Sequence, residues 1–125
     1  MRQLEDFIYL SKYAGQRFDM VQAGGGNSSF KPDEGHMLIK SSGVLLADVN
    51  LESGYSNILY HKVNEAFLDR NIALSSDRKL REERASEYVK DAHVSGGRAS
   101  IEVFLHSILG RYVLHTHPIV VNNIV

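Results

Sequence analysis

Tyr112-Val113-Leu114-His115-Thr116-His117-Pro118 places two strong metal ligands two residues apart in a strand-like setting. Tyr112, Val113 and Leu114 suit a half-buried strand. Pro118 lacks the amide hydrogen needed to continue a central one, so the strand should end at the histidines. Side chains two apart on a strand point to the same face, which gives His115 and His117 one shared space. Two imidazoles there form part of a metal site, or are two histidines satisfied by hydrogen bonds at a strand end. The short motif by itself leaves both readings open.

The rest of the chain bounds the setting. Its 125 residues predict a single domain over 1–125 with a real core. Hydrophobic content of 43% and charged content of 23% are those of an ordinary globular chain, and no run approaches the ~18 apolar residues of a membrane span. Met1-Arg2-Gln3-Leu4-Glu5-Asp6 places acids where a secretory leader needs an uninterrupted apolar core. The absence of cysteine excludes a disulfide framework and a thiolate zinc site, so any metal must be held by His, Asp or Glu. A net charge of −1 with interspersed signs gives no electrostatic footprint for nucleic acid. These features predict a cytoplasmic protein with neither a membrane nor a nucleic-acid partner. The mostly apolar segment 119–125 ends without a cap or polar tail and reads as an element cut off partway, so the chain is expected to be the N-terminal part of something longer.

Directly before the histidine strand, Ser100 reads as a helix N-cap. Ile101, Phe104, Leu105, Ile108 and Leu109 then recur at helical spacing until Gly110. Further back, the spacing predicts helices over 78–93 and 60–68, and an extended run over 44–49. His36-Met37-Leu38-Ile39-Lys40 reads as a strand joined through the turn Pro32-Asp33-Glu34-Gly35 to extended Phe30-Lys31, which makes a hairpin. Residues 20–23 read as a short strand. A first helix is predicted over 3–14, with Gly15 as its stop.

Three donor-rich breaks punctuate these elements. Gly24 to Ser29 matches neither a P-loop nor a Gly-x-Gly-x-x-Gly turn, yet its glycines allow close backbone approach and Asn27, Ser28 and Ser29 offer neutral donors to phosphate oxygens. Ser41-Ser42-Gly43 follows a strand, and Ser100 stands where free amides favour an anion. Taken singly each is an ordinary turn, and only their convergence would make a phosphate pocket. Glu102 and His106, four apart on one helix face, come next. A carboxylate at a helix start commonly offsets the helix dipole, but beside a cation it can also move a proton. His106 reads as a core histidine or an outer partner of a metal site.

Gln22-Ala23-Gly24-Gly25-Gly26-Asn27-Ser28-Ser29, Met37-Leu38-Ile39-Lys40-Ser41-Ser42-Gly43, Ser100-Ile101-Glu102 with His106, and His115-Thr116-His117-Pro118 together, in this order, resemble the class II aldolase/adducin family. The resemblance implies an α/β fold of three layers, α/β/α, around a largely antiparallel sheet, usually in a homotetramer. It implies His115 and His117 as ligands of a divalent metal, Zn2+ above all, with Glu102 as the catalytic acid/base. It also implies Asn27, Ser42, Gly43 and Ser100 as phosphate-binding positions. The function implied is a metal-dependent aldehyde-lyase that reversibly cleaves a phosphorylated ketose through a metal-stabilised enediolate. Epimerisation or dehydration of a sugar phosphate, and a non-catalytic adducin-like assembly role, are the alternatives on the same scaffold. Two departures stand out. Fuculose-phosphate-type aldolases carry Pro-Ser-Ser-Glu where this chain has Ala99-Ser100-Ile101-Glu102, and the family's third metal-binding histidine falls beyond the histidine strand.

Overall fold

The computed structural model describes residues 2–16 and 26–115. The expected strand over 20–23, His117 and the apolar segment 119–125 lie outside the described residues. The elements are α1 (Arg2–Gln16), β1 (Asn27–Phe30), β2 (His36–Lys40), a 3-10 turn (Leu46–Asp48), β3 (Tyr55–Leu59) and α2 (Tyr60–Asn64), which runs on as a 3-10 segment (Glu65–Leu68). They continue with α3 (Arg70–Ala73), α4 (Arg78–Ala92), β4 (His93–Gly96), α5 (Val103–Ile108) and β5 (Tyr112–His115).

The expected hairpin is present. Ser29 lies opposite Ile39 and Phe30 opposite Leu38, and Asp33 Oδ1 accepts from the amides of Gly35 and His36, both at 2.8 Å, which shapes the turn. The described strands form one sheet in the order β4-β3-β2-β1-β5, with every neighbouring pair antiparallel.

Both faces of this sheet are covered, as the alternation along β2 shows. Met37 and Ile39 pack with Ile58 against Val63 of α2, Ala92 of α4 and Val103 of α5. Leu38 turns to the other face and joins Phe30, Val49, and Phe7 and Ile8 of α1. Two cores on opposite faces make the three layers α/β/α. Each fully buried side chain of this size contributes about 1.5–3 kcal/mol, so packing on two faces, rather than strand propensity, holds the sheet.

β1 illustrates the point. The turn-like Asn-Ser-Ser predicts a strand that starts only at Phe30, yet pairing extends back to Asn27 and all four residues are buried. The helices on either face accept the polar side chains. Ser28 Oγ lies 2.6 Å from Ser11 Oγ of α1, and Ser29 Oγ lies 2.7 Å from His106 Nδ1 of α5. A buried hydroxyl that keeps a partner avoids the desolvation cost that would otherwise exclude it.

Other expectations need correction. The run 44–49 is not extended, because Leu46–Asp48 forms a 3-10 turn packed closely against α1. Lys12 Nζ donates to Ala47 O at 3.0 Å, and a Cβ on Gly15 would stand 2.3 Å from Ala47 N. Gly15 is therefore a close-approach residue within α1, which continues to Gln16, and not its stop. The strand in this part of the sheet is β3, hidden in the sequence because one of its inward positions is Ser56. Ser56 Oγ is satisfied by Ser41 Oγ at 2.8 Å and by Gly97 O at 2.6 Å. Sequence reading also missed β4, an exposed edge strand with no apolar alternation. The predicted helix after Ser100 begins two residues late. Ser100 O accepts from Val103 N at 3.1 Å in a leading turn, and Glu102 occupies the N-cap position without a side-chain cap bond.

Candidate active site

Register places the histidine strand against β1, with Asn27 opposite His115 and Ser29 opposite Val113. Strand parity then puts Asn27, Ser29, Val113 and His115 on one face. Ser28 bonds α1, while Ser29 bonds α5, so the face that carries His115 is the α5 side. α5 and its leading turn supply Glu102 and His106 from above.

These three side chains meet. Glu102 Oε2 approaches His115 Nδ1 to 2.7 Å, with both side chains 31% exposed. Apart from that contact, this carboxylate oxygen is buried and accepts no hydrogen bond among the described residues. One ligand atom from each of Glu102, His106 and His115 lies within 4.8 Å of the others. A tetrahedral zinc with nitrogen bonds of about 2.0–2.1 Å holds its donors about 3.3 Å apart, a spacing that the Glu102 and His115 pair, at 2.7 Å, nearly matches. Imidazole and carboxylate are the ligand types such an ion takes, and the residues present fit it.

His106 is fully buried. Its Nδ1 is held by Ser29, while Nε2 is buried without a hydrogen-bond partner among the described residues. Burial pushes its pKa down to about 4, against the pull of the Glu102 carboxylate and with smaller help from His115 and Lys31. The folded ring is therefore neutral at pH 7. As pH falls below 6.5 the unfolded chain takes up a proton that the folded chain refuses until about pH 4, so stability is lost across that window. The loss should reach about 3 kcal/mol. Urea unfolding of metal-free protein at pH 7 and pH 4.5 checks this, with His106→Gln expected to show the smaller pH loss. Equal losses in the two proteins would contradict it.

The donor-rich segments also come together. Asn27 Nδ2 donates to Ser100 Oγ at 3.3 Å. Ser42 N donates to Arg98 O at 2.7 Å, and Ser41 bridges to Ala99. Ser42 and Gly43 are exposed in the turn after β2, where the backbone of Gly43 has φ +82. Asn27 is buried, and Ser100 is half-buried beside it. Ser28 and Ser29, also read as phosphate donors, instead point to Ser11 and His106. Gly24 and Gly25 lie outside the described residues, as does His117.

Sequence reading passed over Lys40. Its ammonium donates to Val44 O at 2.5 Å and Ser41 O at 3.3 Å and so closes the turn that presents Ser42 and Gly43. Burial lowers its pKa, and the Glu102 carboxylate opposes that shift. A lysine at a strand end is usually solvated, and only the adjacent Ser41-Ser42-Gly43 break hinted at this role. A large open groove runs between α4 and residues 96–101, bordered by Arg98 and Ser100, but Glu102, His106 and His115 do not line it. The ligand-type side chains cluster outside that groove.

A family profile described as the class II aldolase and adducin N-terminal domain matches residues 5–123. Among solved structures, the chain is similar to the N-terminal class II aldolase domain of a conserved protein from Thermoplasma acidophilum. Identity is 25% and the TM-score 0.73, over 94% of this chain and 56% of that one. The chain thus spans about half the length of that structure. No curated protein matches it. No described helix is long and apolar enough to cross a membrane. With its three-layer fold and the profile covering nearly all of its length, the chain belongs to the class II aldolase and adducin N-terminal domain family.

Proposed function

We propose that this domain carries the chemistry of a metal-dependent aldehyde-lyase that reversibly cleaves a phosphorylated ketose. The observation that carries the reading is the meeting of Glu102 and His115 at 2.7 Å, with a His106 nitrogen within 4.8 Å, on the sheet face that also bears Asn27. His115, together with His117 two residues on in the sequence, would hold a divalent ion, zinc above all. Such an ion supplies Lewis-acid stabilisation of negative charge developing on substrate oxygens.

The chain's own residues do the rest. In the cleavage direction Glu102 takes the proton of the substrate hydroxyl at one of its carboxylate oxygens, the adjacent carbon–carbon bond breaks as that oxygen of the substrate becomes the aldehyde carbonyl, and the same acid then protonates the carbon left with the electron pair. Condensation runs these transfers backwards, and both directions need the group within hydrogen-bond reach. Ser42, Gly43, Ser100 and Asn27 orient the phosphate, and Lys40 keeps the Ser42–Gly43 turn in the conformation that exposes its donors. Holding the remote phosphate fixes the reacting carbons against Glu102, so binding energy far from the bond being broken is used for orientation.

The test is cleavage of a panel of phosphorylated ketoses, read by trapping the released aldehyde, before chelation, after it, and after zinc is restored. Activity is expected to vanish with the metal and return with it. Cleavage that survives chelation, or a zinc-loaded protein that cleaves none of the panel, would overturn the reading; the second outcome would favour an assembly role.

A further inference from the structure

Three strong ligand-type side chains meet at this site, but the hydrogen bonding of one sets it apart. Ser29 is buried, and among the described residues its hydroxyl has a single partner, His106 Nδ1, at 2.7 Å. A hydroxyl donor buried without an acceptor is disfavoured, so Ser29 must donate its proton to Nδ1. In a neutral imidazole one nitrogen accepts and the other carries the hydrogen, and the proton of His106 is thereby assigned to Nε2. The opposite tautomer would strand the Ser29 hydroxyl hydrogen. Nε2 is a buried nitrogen and Glu102 Oε2 a buried oxygen, each without a hydrogen-bond partner among the described residues, and one ligand atom from each of Glu102, His106 and His115 lies within 4.8 Å of the others.

We propose that His106 is a fixed Nε2–H donor that positions the Glu102 carboxylate, that Ser29 sets this tautomer, and that His106 is consequently excluded from the metal's ligand set. An Nε2 that carries hydrogen has no lone pair for an ion, and Nδ1 is occupied by Ser29. The cluster of three therefore divides by role: His115 binds metal, Glu102 moves the proton, and His106 orients Glu102. The inference rests on the metal-dependent reading above for the first two roles, but the tautomer of His106 stands apart from it.

The test uses protein labelled with 15N at histidine, studied by two-bond proton–nitrogen correlation without metal and then loaded with 113Cd. His106 is expected as the Nε2–H tautomer in both states, with scalar coupling to cadmium at His115 and none at His106. An Nδ1–H tautomer in the metal-free protein, or cadmium coupling at His106, overturns the proposal. If cadmium does not bind, the metal reading fails, while the metal-free spectrum still decides the tautomer. Ser29→Ala is expected to replace the single tautomer signal with a mixture, and an unchanged signal would remove Ser29 from the proposal. In turnover, His106→Leu should lower kcat by about 10–100-fold with KM within about threefold, and His106→Gln, which restores an N–H at the same place, should recover most of it. Equal losses in the two variants would count against a positioning role.

Discussion

Glu102→Gln is expected to lower kcat for ketose-phosphate cleavage by about 10²–10⁴-fold, the range that a positioned acid/base contributes. The amide has the shape of the carboxylate but cannot take up a proton, so the substitution removes the chemistry and spares the packing. Little else should change. Glu102 sits in the turn that leads α5 without a side-chain cap bond, and its side chain is one-third exposed, so no helix cap or core contact is lost. Steady-state kinetics with metal analysis on the same samples check the outcome. KM and metal content should stay within a few-fold of the parent, whereas a kcat within tenfold of the parent would remove Glu102 from the proton-transfer role.

His115→Ala should act on a different quantity. Because a catalytic zinc takes few protein ligands and keeps an open position, losing one imidazole is expected to weaken binding by well over about 100-fold, beyond what the loss of an outer partner costs. A metal that binds only the folded state stabilises it by about 2.7 kcal/mol at 100 times its Kd. Zinc should therefore raise the urea midpoint of the parent protein and leave that of His115→Ala nearly unmoved. Equal zinc-induced shifts would place the metal elsewhere. Since a fold defect would lower the metal-free midpoint as well, the two effects are separable in one experiment.

Legibility in the sequence followed the periodicity. The histidine strand, the β1–β2 hairpin, α1 and α4 all carry an apolar spacing or a turn signal of their own, and they lie where those signals put them. β3 and the N-terminal half of β1 were illegible because serine and asparagine occupy inward positions, and their burial depends on partners from distant elements: Ser11 for Ser28, His106 for Ser29, Ser41 for Ser56. No local pattern contains that information. β4 was missed for the opposite reason, since an exposed edge strand needs no apolar face.

The candidate site was legible to the same uneven degree. Spacing predicted that Glu102 and His106 share a helix face and that His115 ends a strand, and the fold brings them within ligand distance of one another. The sequence also allowed the three donor-rich segments to converge without requiring it. Their contact depends on Arg98 O meeting Ser42 N and on Asn27 reaching Ser100, both products of tertiary packing. Lys40 is the plainest omission. Its usefulness lies in a desolvated ammonium that holds the turn bearing Ser42 and Gly43, and burial of a lysine cannot be inferred from its neighbours in the chain.

The central claim is that Glu102 and His115 flank a divalent metal. Anomalous diffraction recorded on either side of the zinc edge, from crystals of zinc-loaded protein, tests it most directly. A peak is expected about 2.0–2.1 Å from a His115 ring nitrogen, within reach of the Glu102 carboxylate and without a bond to His106. A zinc peak elsewhere in the molecule, or none at all with Glu102 and His115 still in their 2.7 Å contact, would contradict it.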